Sequence, residues 1–431
     1  MWKSFLAMML LAAASIVQAI TLEIHEKEMR TYKVGETVTF TVTAYESAGK
    51  KLSAGKFRLF FRDSGGKNIK KYQDIDLSKG NPVTVTAKLD HPGFITLMPS
   101  ACTMPDGSRV QWVRKKPEPF GGAAVEPEKI RAGSEKPADF DKFWADGIKQ
   151  YEKVPVKVEL TTDIKMSGYR CYRVTVDFPD KSGSVNGFLA VPDAPGKYPA
   201  VVTVPGAGQG VIGAHVAFSP KYKHIKLAMN VHPFKSATTL EEQKKLYAEY
   251  NKTFASSVYY YSQAEDRNKY LFRNVWLAIN RSISCVTELK EFDGKNLAVT
   301  GGSQGGASAL ALGYLNKNIT CVVANVPAFC DHHAWKNGRL EGWPKMHTFL
   351  KGKADSESIY FDGVHFASGI TVPTLIGVGY VDVTCPPATV FAAYNNLKCP
   401  KQLVRMYRTG HDQTDEMRKT AFEFLNKEMS K

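Results

Sequence analysis

A chain of 431 residues, 43% hydrophobic and 23% charged, is neither disordered nor membrane-embedded, and it is long enough for two domains. Its net charge of +15 comes from Lys and Arg spread along the chain without a nucleic-acid module. The charge therefore reads as a solvated basic surface, with attraction to acidic polysaccharides as the weaker reading. Seven cysteines at irregular spacing, with no CxxC pair, exclude a zinc knuckle and a dense disulfide framework; Cys385 and Cys399 could pair.

Residues 1–19 carry Lys3, the apolar run Phe5 to Val17 and the small-residue site Val17-Gln18-Ala19. This is the pattern of a secretory signal, with a mature chain starting near Ile20 that is secreted or periplasmic. The run is too short to predict a membrane span, and none is expected once it is cleaved. Residues 20–113 read as a β-sandwich of immunoglobulin type. Val38 to Ala44 and Val83 to Ala87 alternate with period two, Phe57 to Phe61 is a further strand, and Gly- and Pro-bearing turns separate them. No catalytic cluster lies there, although Trp112 is a conceivable platform for a sugar. Residues 114–136 are rich in Pro, Gly and charge and read as a linker.

The segment 137–431 opens on a helix with Asp139 as N-cap and Phe140, Phe143 and Trp144 on one face. An α/β pattern follows from about residue 155. Pro199 to Val204 is a continuous apolar strand that runs into the glycine-rich loop Pro205 to Gly210. That loop lacks Gly-Lys-Ser/Thr, so it is no P-loop; in a hydrolase it supplies an oxyanion-hole N–H. The strand Lys226 to Val231 leads to His232, expected near the site. Residues 237–262, with Tyr259, Tyr260 and Tyr261, read as a cap segment, and Asp266 to Phe292 as one long amphipathic helix ended by Gly294.

Leu297 to Ala307 then brings strand, Gly301-Gly302-Ser303-Gln304-Gly305-Gly306 and a small-residue helix into contact. This is the pattern of a nucleophile elbow, in which a sharp turn lifts a serine above the sheet edge. The insertion Pro327 to Gly363 holds Asp331-His332-His333, Trp335, Trp343 and His347. It reads as a substrate-facing loop rather than a metal site, because adjacent histidines point apart. Asp382 follows the apolar run Pro373 to Gly379, and His411 follows Gln402 to Arg408. Serine, acid and histidine in that order, the latter two each just past a strand, form the triad arrangement of α/β-hydrolases.

Val378-Gly379-Tyr380-Val381-Asp382-Val383-Thr384-Cys385-Pro386-Pro387, with Gly410-His411 and the elbow, resembles the acetyl xylan esterase and cephalosporin-C deacetylase family, carbohydrate esterase family seven. The likeness runs from about residue 137 to the end. It implies an α/β-hydrolase with a mostly parallel sheet that removes acetyl groups from saccharides through Ser303, Asp382 and His411. Its oxyanion donors carry over as the backbone N–H groups of Gln304 and Ala207. Where the family has His-Gly-Tyr this chain has Pro205-Gly206-Ala207, and Val231-His232-Pro233 stands in place of its Arg-Gly-Gln. The family forms ring-shaped hexamers, which leaves room for a homo-oligomer.

The expected activity is that of a serine esterase on an acetylated oligo- or polysaccharide, with no metal or organic cofactor required and no nucleic-acid partner. His232, Trp335 and Trp343 are the candidate substrate contacts. Two rivals remain: a serine peptidase on the same scaffold, and a carbohydrate-binding protein with an inactive hydrolase core.

Overall fold

A computed structural model describes residues 19–46, 49–113, 118–254 and 258–430. The expected signal segment, apart from Ala19, lies outside the described residues. Among the described residues no helix is long and apolar enough to cross a membrane.

The period-two alternation at the N-terminus builds two packed sheets. One is antiparallel, in the order Thr21–Glu26, Val38–Tyr45, Val83–Ala87. The other is built around Lys56–Arg62 and Gly93–Pro99. Leu22, Ile24, Phe40 and Val42 from the first meet Phe57, Leu59, Phe61, Ile95 and Leu97 from the second in one buried core. Trp112 belongs to that core. It is 8% exposed, its indole N–H donates to Ser100 O at 2.7 Å, and Phe57 meets it edge-on. It is therefore not a platform for a ligand.

The sandwich does not end at residue 113. Gly121–Val125, inside the expected linker, is a wholly buried strand, antiparallel to Gly93–Pro99 and parallel to Thr31–Tyr32. Its sequence, Gly-Gly-Ala-Ala-Val, shows no bulky alternation, because on each side a neighbour fills the space a side chain would take. A Cβ on Gly121 would lie 2.5 Å from Ile24 Cγ2.

The C-terminal part of the chain is organised on a nine-stranded sheet. Its strands are β1 (Val156–Leu160), β2 (Tyr169–Asp177), β3 (Ser184–Pro192), β4 (Tyr198–Val204), β5 (Ile225–Met229), β6 (Phe292–Gly302), β7 (Cys321–Asn325), β8 (Thr374–Gly379) and β9 (Lys401–Met406). They lie in the order β1-β2-β3-β5-β4-β6-β7-β8-β9. The first three are joined antiparallel, and β4 to β9 run parallel. The central parallel strands are buried throughout, which is why they read as unbroken apolar runs. Helices cover the faces: α1 (Phe140–Glu152), α2 (Leu240–Asn251), α3 (Leu271–Ser282), α4 (Gln304–Leu315), α5 (Gly363–Ala367), α6 (Pro387–Asn396) and α7 (Asp415–Glu428).

Two local expectations give way. Asp139 stands at the N-cap of α1, but its carboxylate accepts the Tyr360 hydroxyl instead of a helix N–H. The long helix over 266–292 is shorter and divided: α3 runs from Leu271 to Ser282, a separate four-residue helix follows at Ser284–Thr287, and Phe292 already begins β6. Just inside β6 the Asp293 carboxylate takes the amides of Lys295 and Asn296 at 3.0 and 2.9 Å and turns the chain around Gly294.

Candidate active site

Ser303 sits between β6 and α4 with φ 57° and ψ −122°, a backbone conformation that non-glycine residues rarely adopt. The surroundings enforce it. Ser303 N–H donates to Asn325 O at 2.9 Å, and Ser303 O accepts from Ala307 and Ala328 at 3.0 Å each. Small neighbours are obligatory, because a Cβ on Gly305 would lie 2.0 Å from Val204 O. Gly305→Ala is expected to destabilise the protein by about 2–4 kcal/mol, read as a lowered urea midpoint. An unchanged midpoint would mean the elbow is looser than these contacts require.

The parallel strands bring the other two side chains to the same sheet edge. His411 follows β9, and its Nε2 accepts the Ser303 hydroxyl at 2.7 Å. Its Nδ1–H donates to Asp382 Oδ2, also at 2.7 Å. Asp382 follows β8, and its carboxylate is sealed from solvent. Its other oxygen accepts the backbone N–H groups of Thr384 at 2.8 Å and Cys385 at 2.9 Å. Two rigid backbone donors thus fix one carboxylate oxygen and aim the other at the imidazole. The arrangement can move a proton from hydroxyl to imidazole beside a fixed negative charge. Among the described residues, one group with metal-ligating side chains converges: Asp382, Cys385 and His411. The hydrogen bond between Asp382 and His411 accounts for two of its members.

Around the serine stand two sources of backbone N–H. Gln304 is the first residue of α4, where helix amides have no partner inside the helix and the helix dipole is positive. On the other side runs the loop after β4. A Cβ on Gly206 would lie 3.8 Å from Ser303 Cβ, and Ala207 beyond it is exposed to solvent.

The candidate substrate contacts are divided differently from expectation. His232 is fully buried behind the loop. Its Nε2–H donates to Gly208 O at 2.6 Å, and the rings of Phe234, Tyr247, Tyr250 and Tyr259 enclose it. It is a post that holds the loop, and it does not face a substrate. Trp335 stacks on His347 at 4.0 Å within the insertion. Trp343 runs beside the acid loop, its backbone N–H donating to Thr384 O at 2.9 Å and its ring lying against Tyr260 and Phe329.

Asp331, His332 and His333 are buried and so form no substrate-facing surface. Asp331 pairs with Arg339 at 2.6 Å, and Asp362 receives the amides of Asp331 and His332. Tyr259, expected in the cap, reaches the elbow instead, its hydroxyl donating to the Gln304 side chain at 2.5 Å, and sequence reasoning gave no role to Asn325, which bonds Asp412 O at 3.0 Å. No motif marks either residue; both act through the fold. The seven cysteines are free, so Cys385 and Cys399 do not pair.

Burial pushes the His232 imidazole down to about 4. In the fold it stays neutral while the unfolded chain protonates near 6.5, so stability complete above pH 6.5 is lost as pH falls towards 4. The loss reaches up to about 3 kcal/mol for this group. His232→Gln keeps an N–H donor for Gly208, and its urea midpoint is expected to change less between pH 7 and 4 than that of the unaltered protein. Equal slopes would assign the acid sensitivity elsewhere.

A mostly parallel sheet with a strained serine after one strand and a histidine–carboxylate pair after two later strands defines an α/β-hydrolase. The acetyl xylan esterase (AXE1) family model matches residues 126–428. The acetyl esterase Axe7A of Xylanibacter ruminicola is 31% identical over 367 residues, 82% of this chain and 79% of that protein. Acetyl xylan esterases from Paenibacillus sp. R4 and Thermoanaerobacterium sp. JW/SL YS485 superpose with TM-scores of 0.56 each. They are 21% and 20% identical, and the superpositions cover 70% of this chain and 98% and 97% of theirs. The chain belongs to the acetyl xylan esterase family and is a carboxylic ester hydrolase.

Proposed function

We propose that this protein is a secreted serine esterase that removes acetyl groups from acetylated saccharides. The single observation that carries the mechanism is His411 bridging Ser303 Oγ and Asp382 Oδ2 at 2.7 Å on each side. The Ser303 oxygen attacks the acetyl carbonyl carbon while its proton passes to His411 Nε2. Asp382 holds the Nδ1–H tautomer and stabilises the imidazolium. The oxyanion is held by the N–H groups of Gln304 and Ala207, each worth about 3–4 kcal/mol in comparable sites. Collapse breaks the bond to the sugar oxygen, which leaves with the proton from His411. Water, deprotonated by His411, then attacks the acetyl-enzyme and acetate departs.

The saccharide half of the reading leans on the family and on the acetyl ester named for the relative from X. ruminicola. Acetate release from acetylated xylan, acetylated pectin and 4-nitrophenyl acetate, run beside peptide anilides, tests it. Turnover of the acetylated glycans and not of the anilides is expected. Cleavage of anilides alone would make the protein a peptidase. Export is tested by the N-terminal sequence of the protein recovered from its native host, expected to start near Ile20.

A further inference from the structure

Two of the three loops that assemble the site are gripped from outside the hydrolase sheet. Ser303 is fixed within it, by the elbow and Asn325. The loops of Asp382 and His411 are held from two sides: Asn325 bonds Asp412 O from within the sheet, and the sandwich meets each loop from without. Just before Asp382, the Tyr380–Val381 backbone lies on Gly122 of the sandwich. A Cβ on Gly122 would come within 2.6 Å of Tyr380 O and 3.0 Å of Val381 Cγ1. Phe94, from the neighbouring sandwich strand, meets the Tyr380 ring edge-on at 5.2 Å and Phe391 at 5.5 Å. Phe94 and Ala124 pack into the core of the hydrolase and not that of the sandwich.

Just before His411, the same trailing segment of the sandwich lies on Gly410. A Cβ there would sit 3.3 Å from Glu118 Cγ and 3.4 Å from Glu118 Oε1. On the opposite side a Cβ on Gly379, the last residue of β8, would meet Gly410 O at 2.3 Å. The histidine loop is therefore one layer between the end of β8 and the sandwich. Both gripping residues precede residue 126, where the family match begins.

We propose that Gly122 and Glu118 are positioning residues for ester hydrolysis: the sandwich clamps the loops of Asp382 and His411 and so sets the imidazole on Ser303. The proposal rests on the triad reading above. Neither residue touches the reacting atoms. Gly122 acts by letting two backbones meet, and Glu118 by the bulk of its side chain against Gly410. A displacement of about 1 Å at a catalytic group costs about 10²-fold in rate, so a small shift at this seam is visible in turnover.

The test uses the full chain and 4-nitrophenyl acetate. Gly122→Ala is expected to lower kcat about 10- to 100-fold with KM changed less than about twofold, and to slow fluorophosphonate labelling of Ser303 in parallel. Glu118→Ala is expected to lower kcat about tenfold, and Glu118→Gln, of equal bulk, to restore it to within about twofold. Val85→Ala, in the sandwich core on a strand that among the described residues pairs only with Val38–Tyr45, serves as control. It should lower the unfolding temperature and leave kcat unchanged. Unaltered kcat in Gly122→Ala and Glu118→Ala would overturn the proposal. So would a loss of kcat in Val85→Ala equal to theirs, or a Glu118→Gln variant as slow as Glu118→Ala. If Gly122→Ala does not fold, the two Glu118 variants decide the matter. Absence of Ser303 labelling in the unaltered protein would instead defeat the triad reading itself.

Discussion

Ser303→Ala is expected to lower kcat on acetyl esters by about 10⁴-fold or more while the protein stays folded. The size follows from what remains. Gln304 and Ala207 would still offer their N–H groups to a carbonyl oxygen, and binding would persist. The atom that forms the covalent bond would be gone, and with it the acceptor for the acetyl group. The fold survives because Ser303 is held through its backbone: its N–H reaches Asn325, and its carbonyl receives Ala307 and Ala328. None of these bonds uses the hydroxyl. Circular dichroism and an unchanged urea midpoint check the folding, and initial rates check the loss. A variant with kcat within tenfold of the unaltered protein would show that another group does the chemistry.

Asp382→Asn is expected to cost nearly as much, about 10⁴-fold in kcat, although it changes one heavy atom. The two backbone amides of Thr384 and Cys385 fix the orientation of the side chain. They require an acceptor, so the amide oxygen of Asn turns towards them and its NH₂ faces His411 Nδ1. A donor there forces Nδ1 to accept, which moves the ring proton to Nε2. Nε2 then has no lone pair for the Ser303 proton. KM should change little, because Asp382 is sealed behind the histidine. Fluorophosphonate labelling of Ser303 should slow by the same order as kcat. A mild loss, below about tenfold, would mean the carboxylate serves stability and not the tautomer.

How much of this was readable in the residues varies with what each element depends on. The elbow was legible because its geometry demands small residues on every side, and Gly301, Gly302, Gly305 and Gly306 announce it. Asp382 was legible because it follows a buried strand written as an apolar run, and His411 because it follows the next strand-like segment. The strand Gly121–Val125 was not. Its identity lies in what packs on it, Ile24 on one glycine and Tyr380 on the next, and neither partner is near in sequence. His232 was misread for the same reason. A histidine after a central strand looks like a group aimed at substrate, yet four aromatic rings from α2 and its flanks bury it. Asp331, His332 and His333 look like a polar loop until Asp362 is seen to take the amides of the first two, Arg339 the Asp331 charge and Asp355 O the His333 ring.

The most direct measurement is mass spectrometry of the protein quenched in acid within the first turnovers of an acetyl ester, followed by peptide mapping. The expected result is one acetyl group on the peptide that contains Gly301 to Gly306, located at Ser303 and lost on a timescale set by kcat. An acetyl group on another side chain, or full turnover in which Ser303 never carries one, would contradict the account.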